Sequence, residues 1–299
     1  MRRKVIQIAD STQLISLPRK WAVKYGIRKG DELEVQEDGS KIVVLTEKYT
    51  EPKRCQVDLR EQPKLKRRTI CAAYLKGFDE IEILYSSPDY IQTIQSILPE
   101  FAGYDIVSQS KNSCVIRQIS KPTAEEFENV FNRLFLLLSD TLKTMTEAIR
   151  SKDNESLQGV QFREHSINKF SNFCRRIVNR GGHSNTESSS NTYFVLINLE
   201  FLGDELKNLS KHLQENKKYD KKLSEILTKI TTLYDVVYKI FKTKDRKKAA
   251  ENALLYDELE AEIHAYFKSD KTDPIAYQHI TRIMQIIIQI QEALLMFTL

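Results

Sequence analysis

Ile15-Ser16-Leu17-Pro18-Arg19-Lys20-Trp21, continuing through Tyr25-Gly26-Ile27-Arg28-Lys29-Gly30-Asp31-Glu32-Leu33-Glu34-Val35, is the stretch on which the reading of this 299-residue chain turns. Pro18 suits the first turn of a helix running through Tyr25, and Gly26 follows where a left-handed C-cap is expected. Upstream, Val5, Ile6 and Ile8 begin one strand and Leu14 to Leu17 make another. Downstream, Leu33 and Val35 alternate with Glu32, Glu34 and Gln36. Asp38-Gly39 is a strong hairpin turn, and Ile42 to Leu45 is the return strand. Residues 1–48 therefore predict a ββαββ unit. A piece this small buries too little apolar surface alone, so it is expected to fold by pairing with a second copy.

Charge separates this unit from the rest. Residues 1–30 hold Arg2, Arg3, Lys4, Arg19, Lys20, Lys24, Arg28 and Lys29 against Asp10, a balance of +7; the remaining 269 residues sum to −2, since the whole chain carries +5. Such a field attracts polyanions, and counterion release from a nucleic-acid backbone would reward it. A merely solvated basic surface is the alternative.

The strand, Pro, helix, Gly-x-x-x-Gly-Asp-x-Leu-x-Val order resembles the AbrB/MazE/SpoVT family of swapped-hairpin DNA-binding domains, over nearly all of residues 3–47. The resemblance implies half of a dimeric β-barrel gripping double-stranded DNA. The contacts it implies are Arg3, Lys4, Arg19 and Lys20, with Thr12, Gln13 and Ser16 as polar partners. Lysine and arginine would position phosphates, while Gln13 or an arginine could read a base edge. Asp10-Ser11-Thr12-Gln13 departs from the Gly-Arg often found in that loop, so no operator sequence follows.

Residues 49–120 predict a small α/β connecting domain. It opens with a basic, proline-marked stretch from Pro52 to Arg68. Strands are expected at Thr69 to Leu75, Glu80 to Tyr85, Tyr104 to Ser108 and Cys114 to Ile119, with a helix from Asp89 to Leu98, a second ββαββ pattern. A spacer, a dimerising domain and a small-molecule sensor all remain open here.

From residue 121 to 299 the periodicity becomes helical, with no proline between Pro122 and Pro274. Thr123-Ala124-Glu125-Glu126 reads as a capping box opening the first of six helices. The second is expected over Asp153 to Arg180, the third over Asn191 to Gln214, the fourth over Asp220 to Lys242 and the fifth over Arg246 to Lys268. The sixth begins at Asp273-Pro274. The expected fold is thus multidomain α+β, ending in an all-α six-helix antiparallel bundle whose order suggests two three-helix repeats.

Within the third helix, Glu200, Asp204 and Asn208 fall four apart and share a face. Two carboxylates and an amide suit an oxygen-ligated cation, or else a solvated ladder. Leu199-Glu200-Phe201-Leu202-Gly203-Asp204-Glu205-Leu206-Lys207-Asn208-Leu209 is similar to the signature helix of PhoU, the phosphate-signalling family built as two three-helix repeats. That resemblance implies a divalent or iron-type metal held with Glu164 and Asn168 of the preceding helix. The second repeat departs from it, with Thr281, Gln285 and Gln289 where ligands are expected. Asp257, Glu258, Glu260 and Glu262 read as a solvated face.

No apolar run approaches membrane-spanning length, and no secretory signal is visible. Cys55, Cys71, Cys114 and Cys174 are scattered, and no histidine, serine or cysteine forms a catalytic set. Together the two resemblances imply a non-enzymatic, cytoplasmic, homodimeric transcription regulator responding to phosphate. Two alternatives stay open. One is an adaptor binding a phosphate transporter or its control proteins, its N-terminal module serving to dimerise. The other is metal-assisted phosphate-ester hydrolysis through Glu164, Glu200 and Asp204.

Overall fold

The computed structural model describes residues 2–8, 12–38, 40–46, 52–60, 65–120, 124–180, 189–217, 219, 221–268 and 273–298. The chain forms two compact units, Met1–Pro52 and Lys53–Leu299.

In the first unit, β1 (Val5–Ile8) pairs antiparallel with β2 (Thr12–Ile15), and β3 (Glu34–Asp38) with β4 (Lys41–Leu45), each hairpin forming its own two-stranded sheet. Between them α1 (Arg19–Lys24) begins after Pro18 and stops at Gly26, whose φ of 60° is the left-handed conformation that releases the chain. Gly26 N–H donates to Val23 O and Ile27 N–H to Ala22 O, satisfying the carbonyls of the last turn. The expected ββαββ order is present. The Asp38-Gly39 turn lies partly outside the described residues, since Gly39 is not among them. No described residue of this unit is buried.

The second unit opens with β5 (Arg54–Asp58), α2 (Lys66–Lys76), β6 (Glu80–Leu84), α3 (Asp89–Ile97), a 3-10 turn at Leu98–Glu100, β7 (Tyr104–Gln109) and β8 (Ser113–Gln118). These four strands lie in the order β5-β6-β8-β7, with β5 parallel to β6 and the other pairs antiparallel. Two expectations are corrected here. Thr69 to Leu75 is helix rather than strand: its buried Ile70, Ala73 and Tyr74 fall at helical spacing, and Gly77 at φ 92° ends it. The first strand is instead β5, inside the basic stretch, so the pattern is βαβαββ and not ββαββ. Only Val57 of β5 is buried, which left little alternation to read.

Six helices follow: α4 (Ala124–Ser151), α5 (Asn154–Asn179), α6 (Ser189–Asn216), α7 (Lys221–Thr243), α8 (Arg246–Phe267) and α9 (Pro274–Leu295). The capping box at Thr123 to Glu126 lies mostly outside the described residues. Three other starts are fixed locally: Asp153, Asp245 and Asp273 each sit at an N-cap and accept from two backbone N–H groups of the first turn. Their leucine, isoleucine and phenylalanine stripes merge into one core, from Phe127 through Leu199 to Leu294. Gly203 is a point of close approach between α5 and α6, since a Cβ there would meet Ile167 Cγ2 at 2.8 Å.

The expectation that no segment reaches membrane-spanning length does not hold for α9. Pro274–Thr298 is long and apolar enough, at mean hydropathy 1.3, with half of that stretch buried in the bundle. Ile280, Ile283, Ile287, Ile290 and Leu294 have essentially no exposed surface, which accounts for the hydropathy as core packing.

The βαβαββ segment is clamped to α5 rather than standing apart as a separate spacer. Arg176, 2% exposed, donates to Tyr74 O at 2.6 Å and Gln118 Oε1 at 3.1 Å, and its guanidinium lies 5.1 Å from the Tyr74 ring and 4.9 Å from the Tyr104 ring. Asn179 Nδ2 donates to Leu75 O at 2.8 Å, and Arg180 reaches Gly77 O and the Asp79 carboxylate. Arg176→Met keeps the aliphatic stem but removes these polar contacts, and is expected to destabilise the folded chain by about 2–4 kcal/mol in urea unfolding. A loss under about 0.5 kcal/mol, the scale of a plain surface substitution, would contradict the clamp.

Candidate functional site

All seven candidate DNA contacts are exposed. Arg3 and Lys4 lead into β1, Thr12 and Gln13 lie on β2, Ser16 follows it, and Arg19 and Lys20 occupy the first turn of α1. The hairpin register divides them. Ile6 faces Leu14 and Ile8 faces Thr12, so Thr12 shares a face with three apolar residues. Val5 faces Ile15 and Gln7 faces Gln13, so Gln13 lies on the opposite face beside Gln7. Thr12 and Gln13 therefore cannot meet one flat partner together. Gln7, not singled out from the sequence, is the neighbour that the period-2 alternation places with Gln13.

Both faces of this hairpin are apolar in part, and among the described residues neither is covered. Val5, Ile6, Ile8, Leu14 and Ile15 are 45–62% exposed, and Val35 and Ile42 of the second hairpin are 59% and 68% exposed.

In the helical part, the ladder residues come together across α5 and α6. Glu164, nearly buried, accepts from Asn168 Nδ2 at 2.7 Å and from Lys207 Nζ at 3.0 Å. Lys207 also lies 3.9 Å from Asp204, and Glu200 is paired with Arg175. Asn208 points to solvent and joins none of these. Burial works to raise the Glu164 carboxyl, but the hydrogen bond and charge of Lys207 outweigh it and hold the group below its ordinary value. Glu200 and Asp204 go the other way, raised chiefly by burial against the pull of Arg175 and Lys207 respectively.

This donor set does not fit an oxygen-ligated metal as arranged. Its carboxylates are paired with Lys207 and Arg175, Glu164 and Asp204 also lie close enough to raise the Asp204 carboxyl, and among the described residues no group of three or more His, Cys, Asp or Glu is placed to hold a metal ion. Lys207 stands three residues from Asp204 on α6, but its pairing with Glu164 and that of Arg175 with Glu200 run between helices and leave no spacing in the sequence. The same holds for Glu205, which is buried and meets His279 Nδ1 at 2.7 Å and Arg282 Nε at 3.1 Å from α9. On α8, Asp257 and Glu258 are exposed as expected, while half-buried Glu262 is paired, accepting from Lys222 Nζ at 2.7 Å and Lys229 Nζ at 2.5 Å.

Residues 6–54 match the family described as antidote-toxin recognition MazE, bacterial antitoxin. The N-terminal unit is thus a MazE/AbrB-type domain. Among solved structures, the phosphate transport system regulatory protein PhoU from Streptococcus pneumoniae is similar, at 18% identity and a TM-score of 0.43, covering 58% of this chain and 91% of that one. No curated protein matches the sequence.

The Glu164 and Lys207 pair has a pH signature. Because the folded carboxyl sits below its unfolded value, the stabilisation is complete above the unfolded pKa of roughly 4.3 and is lost as pH falls through the folded value. Glu164→Gln is therefore expected to lower stability by about 1–3 kcal/mol at pH 7 and by progressively less in acid below about pH 4. A deficit independent of pH in urea melts would contradict the assignment.

Proposed function

We propose that this chain is a transcription regulator that binds double-stranded DNA through its N-terminal unit as a homodimer. The observation that carries the reading is the exposed cationic set Arg3, Lys4, Arg19 and Lys20, set around a hairpin whose apolar residues are not covered by any of the described residues. A second copy laid against that hairpin would bury these side chains at about 1.5–3 kcal/mol each and unite two cationic sets on one surface. Lysine and arginine then position the phosphates, and Gln13 with Gln7 lies on a strand face from which base edges are within reach.

The helical part is the responding element, and the signal proposed is phosphate status, received in the cytoplasm through phosphate-transport or phosphate-signalling proteins. Support for this comes from the likeness of Leu199 to Leu209 to the PhoU signature helix. No metal or catalytic step is included. The adaptor reading differs in one respect: there the N-terminal hairpins pair but carry no DNA.

A salt titration of binding to duplex DNA separates the two. Four cations per chain, eight in a pair, give a log K against log salt slope of about −7 if each meets a phosphate. Changing Arg19 and Lys20 to alanine removes half of them and is expected to halve the slope. Weak, salt-insensitive binding by the parent chain would favour the adaptor, and an unchanged slope in the variant would reject these two residues as contacts.

A further inference from the structure

The sheet of the second unit, β5-β6-β8-β7, has two edges, and they differ. At one edge β7 is interrupted: its register against β8 shifts between Ile106 and Ser108, a bulge of the kind that blunts an edge against further pairing. At the other, β5 runs in unbroken register with β6 from Arg54 to Asp58, with no proline or glycine inside it.

Parallel pairing divides the backbone of β5 by parity. Lys53 O accepts from the N–H groups of Asp79 and Glu80 just before the ladder, and Leu59 N–H donates to Leu84 O just after it, so the odd-numbered residues turn toward β6. The N–H and C=O groups of Arg54, Gln56 and Asp58 therefore turn outward, and no described residue pairs with them. The side chains alternate as well. Val57 is buried and Cys55 packs against the same core, while Arg54, Gln56 and Asp58 lie exposed on the opposite face.

This edge is self-complementary in one register. Laid antiparallel against a second β5 with Gln56 opposite Gln56, Arg54 comes opposite Asp58 at both ends, and Cys55 comes opposite Val57 on the core side. The outward groups of Arg54, Gln56 and Asp58 then fall at the hydrogen-bonded pairs, about six N–H···O=C bonds in all. A parallel arrangement would instead set like charges against one another, which is unfavourable. Within its own chain Arg54 lies 3.5 Å from Glu80, and Asp58 accepts from Arg60 Nε at 2.9 Å. The Arg54 and Asp58 side chains nonetheless stay 67% and 47% exposed, open to a second partner.

We propose that β5 pairs antiparallel with β5 of a second copy, joining two four-stranded sheets across a two-fold axis at Gln56. The proposal rests on the homodimer reading and adds a second seam to it. Only residues 46–53 separate β4 from β5, so chains paired through their N-terminal hairpins hold two β5 strands at high effective concentration. One short edge buries too little area to hold a dimer alone, and the seam depends on that tether.

The test is disulfide trapping in the full-length protein. Residues opposite one another at a hydrogen-bonded pair stand about 5.5 Å apart at Cα, within disulfide reach. Gln56→Cys treated with copper phenanthroline is expected to run as a covalent dimer on a non-reducing gel. The parent, whose Cys55 faces Val57 of the other copy, is expected to stay uncrosslinked, as is Arg54→Cys. Adding Asp58→Lys to Gln56→Cys sets cations opposite one another and should cut the yield about tenfold; adding Arg54→Glu as well should restore it. A dimeric parent whose Gln56→Cys variant does not cross-link overturns the seam and leaves hairpin pairing standing, whereas a monomeric parent overturns both. Equal yield from Arg54→Cys, or a yield indifferent to Asp58→Lys, also overturns the proposed pairing.

Discussion

The first fifty residues have to form sheet without a core. Val5, Ile6, Ile8, Leu14, Ile15, Val35 and Ile42 sit in four short strands arranged as two separate hairpins, and none of them is removed from water by the described residues. Isolated two-stranded hairpins are marginal in water at best, so the apolar content of these strands has to be buried elsewhere for the unit to persist. On the proposed account a second copy supplies the missing face. DNA binding then follows from the same constraint, because cover for the strands and union of the two cationic sets are one event.

The second unit answers to a different kind of constraint, the placing of charge inside a packed body. Arg176 is almost wholly buried, and it persists because two aromatic faces, a backbone carbonyl and a side-chain amide surround its guanidinium. Its effect is to join the βαβαββ segment to α5. Farther along the same helix, Glu164 is held by Lys207, and Arg175 holds Glu200. A movement of α5 against α6 has to break ion pairs that are partly out of water, so the two helices should shift together or hardly at all.

Much of this was open to reading in the chain itself, where the cause is local. The N-caps at Asp153 and Asp273, and the proline after the latter, act within one turn, so the starts of α5 and α9 were readable to a residue. The turn to β3 likewise follows from Gly26 and Gly30, both at positive φ. Where packing decides, the reading failed or stayed silent. Thr69 to Leu75 is a short apolar run that suits strand or helix, and only burial of Ile70, Ala73 and Tyr74 settles it. The acidic ladder of α6 was visible as a spacing. What matched Glu164 and Glu200 was not, because Lys207 meets Glu164 and Arg175 meets Glu200 only when α5 and α6 pack closely, at an approach that Gly203 permits.

The central claim is that the N-terminal strands are completed by a second chain and that this completion makes the DNA surface. Sedimentation equilibrium of the full-length protein beside an Ile6→Asp, Leu14→Asp double variant tests it most directly, since these residues face one another on the apolar side of the first hairpin. The account predicts a parent at twice 34.8 kDa and a variant at 34.8 kDa that no longer binds DNA, while its helical unit melts as before. A monomeric parent, or a monomeric variant that binds DNA as tightly as the parent, would contradict it.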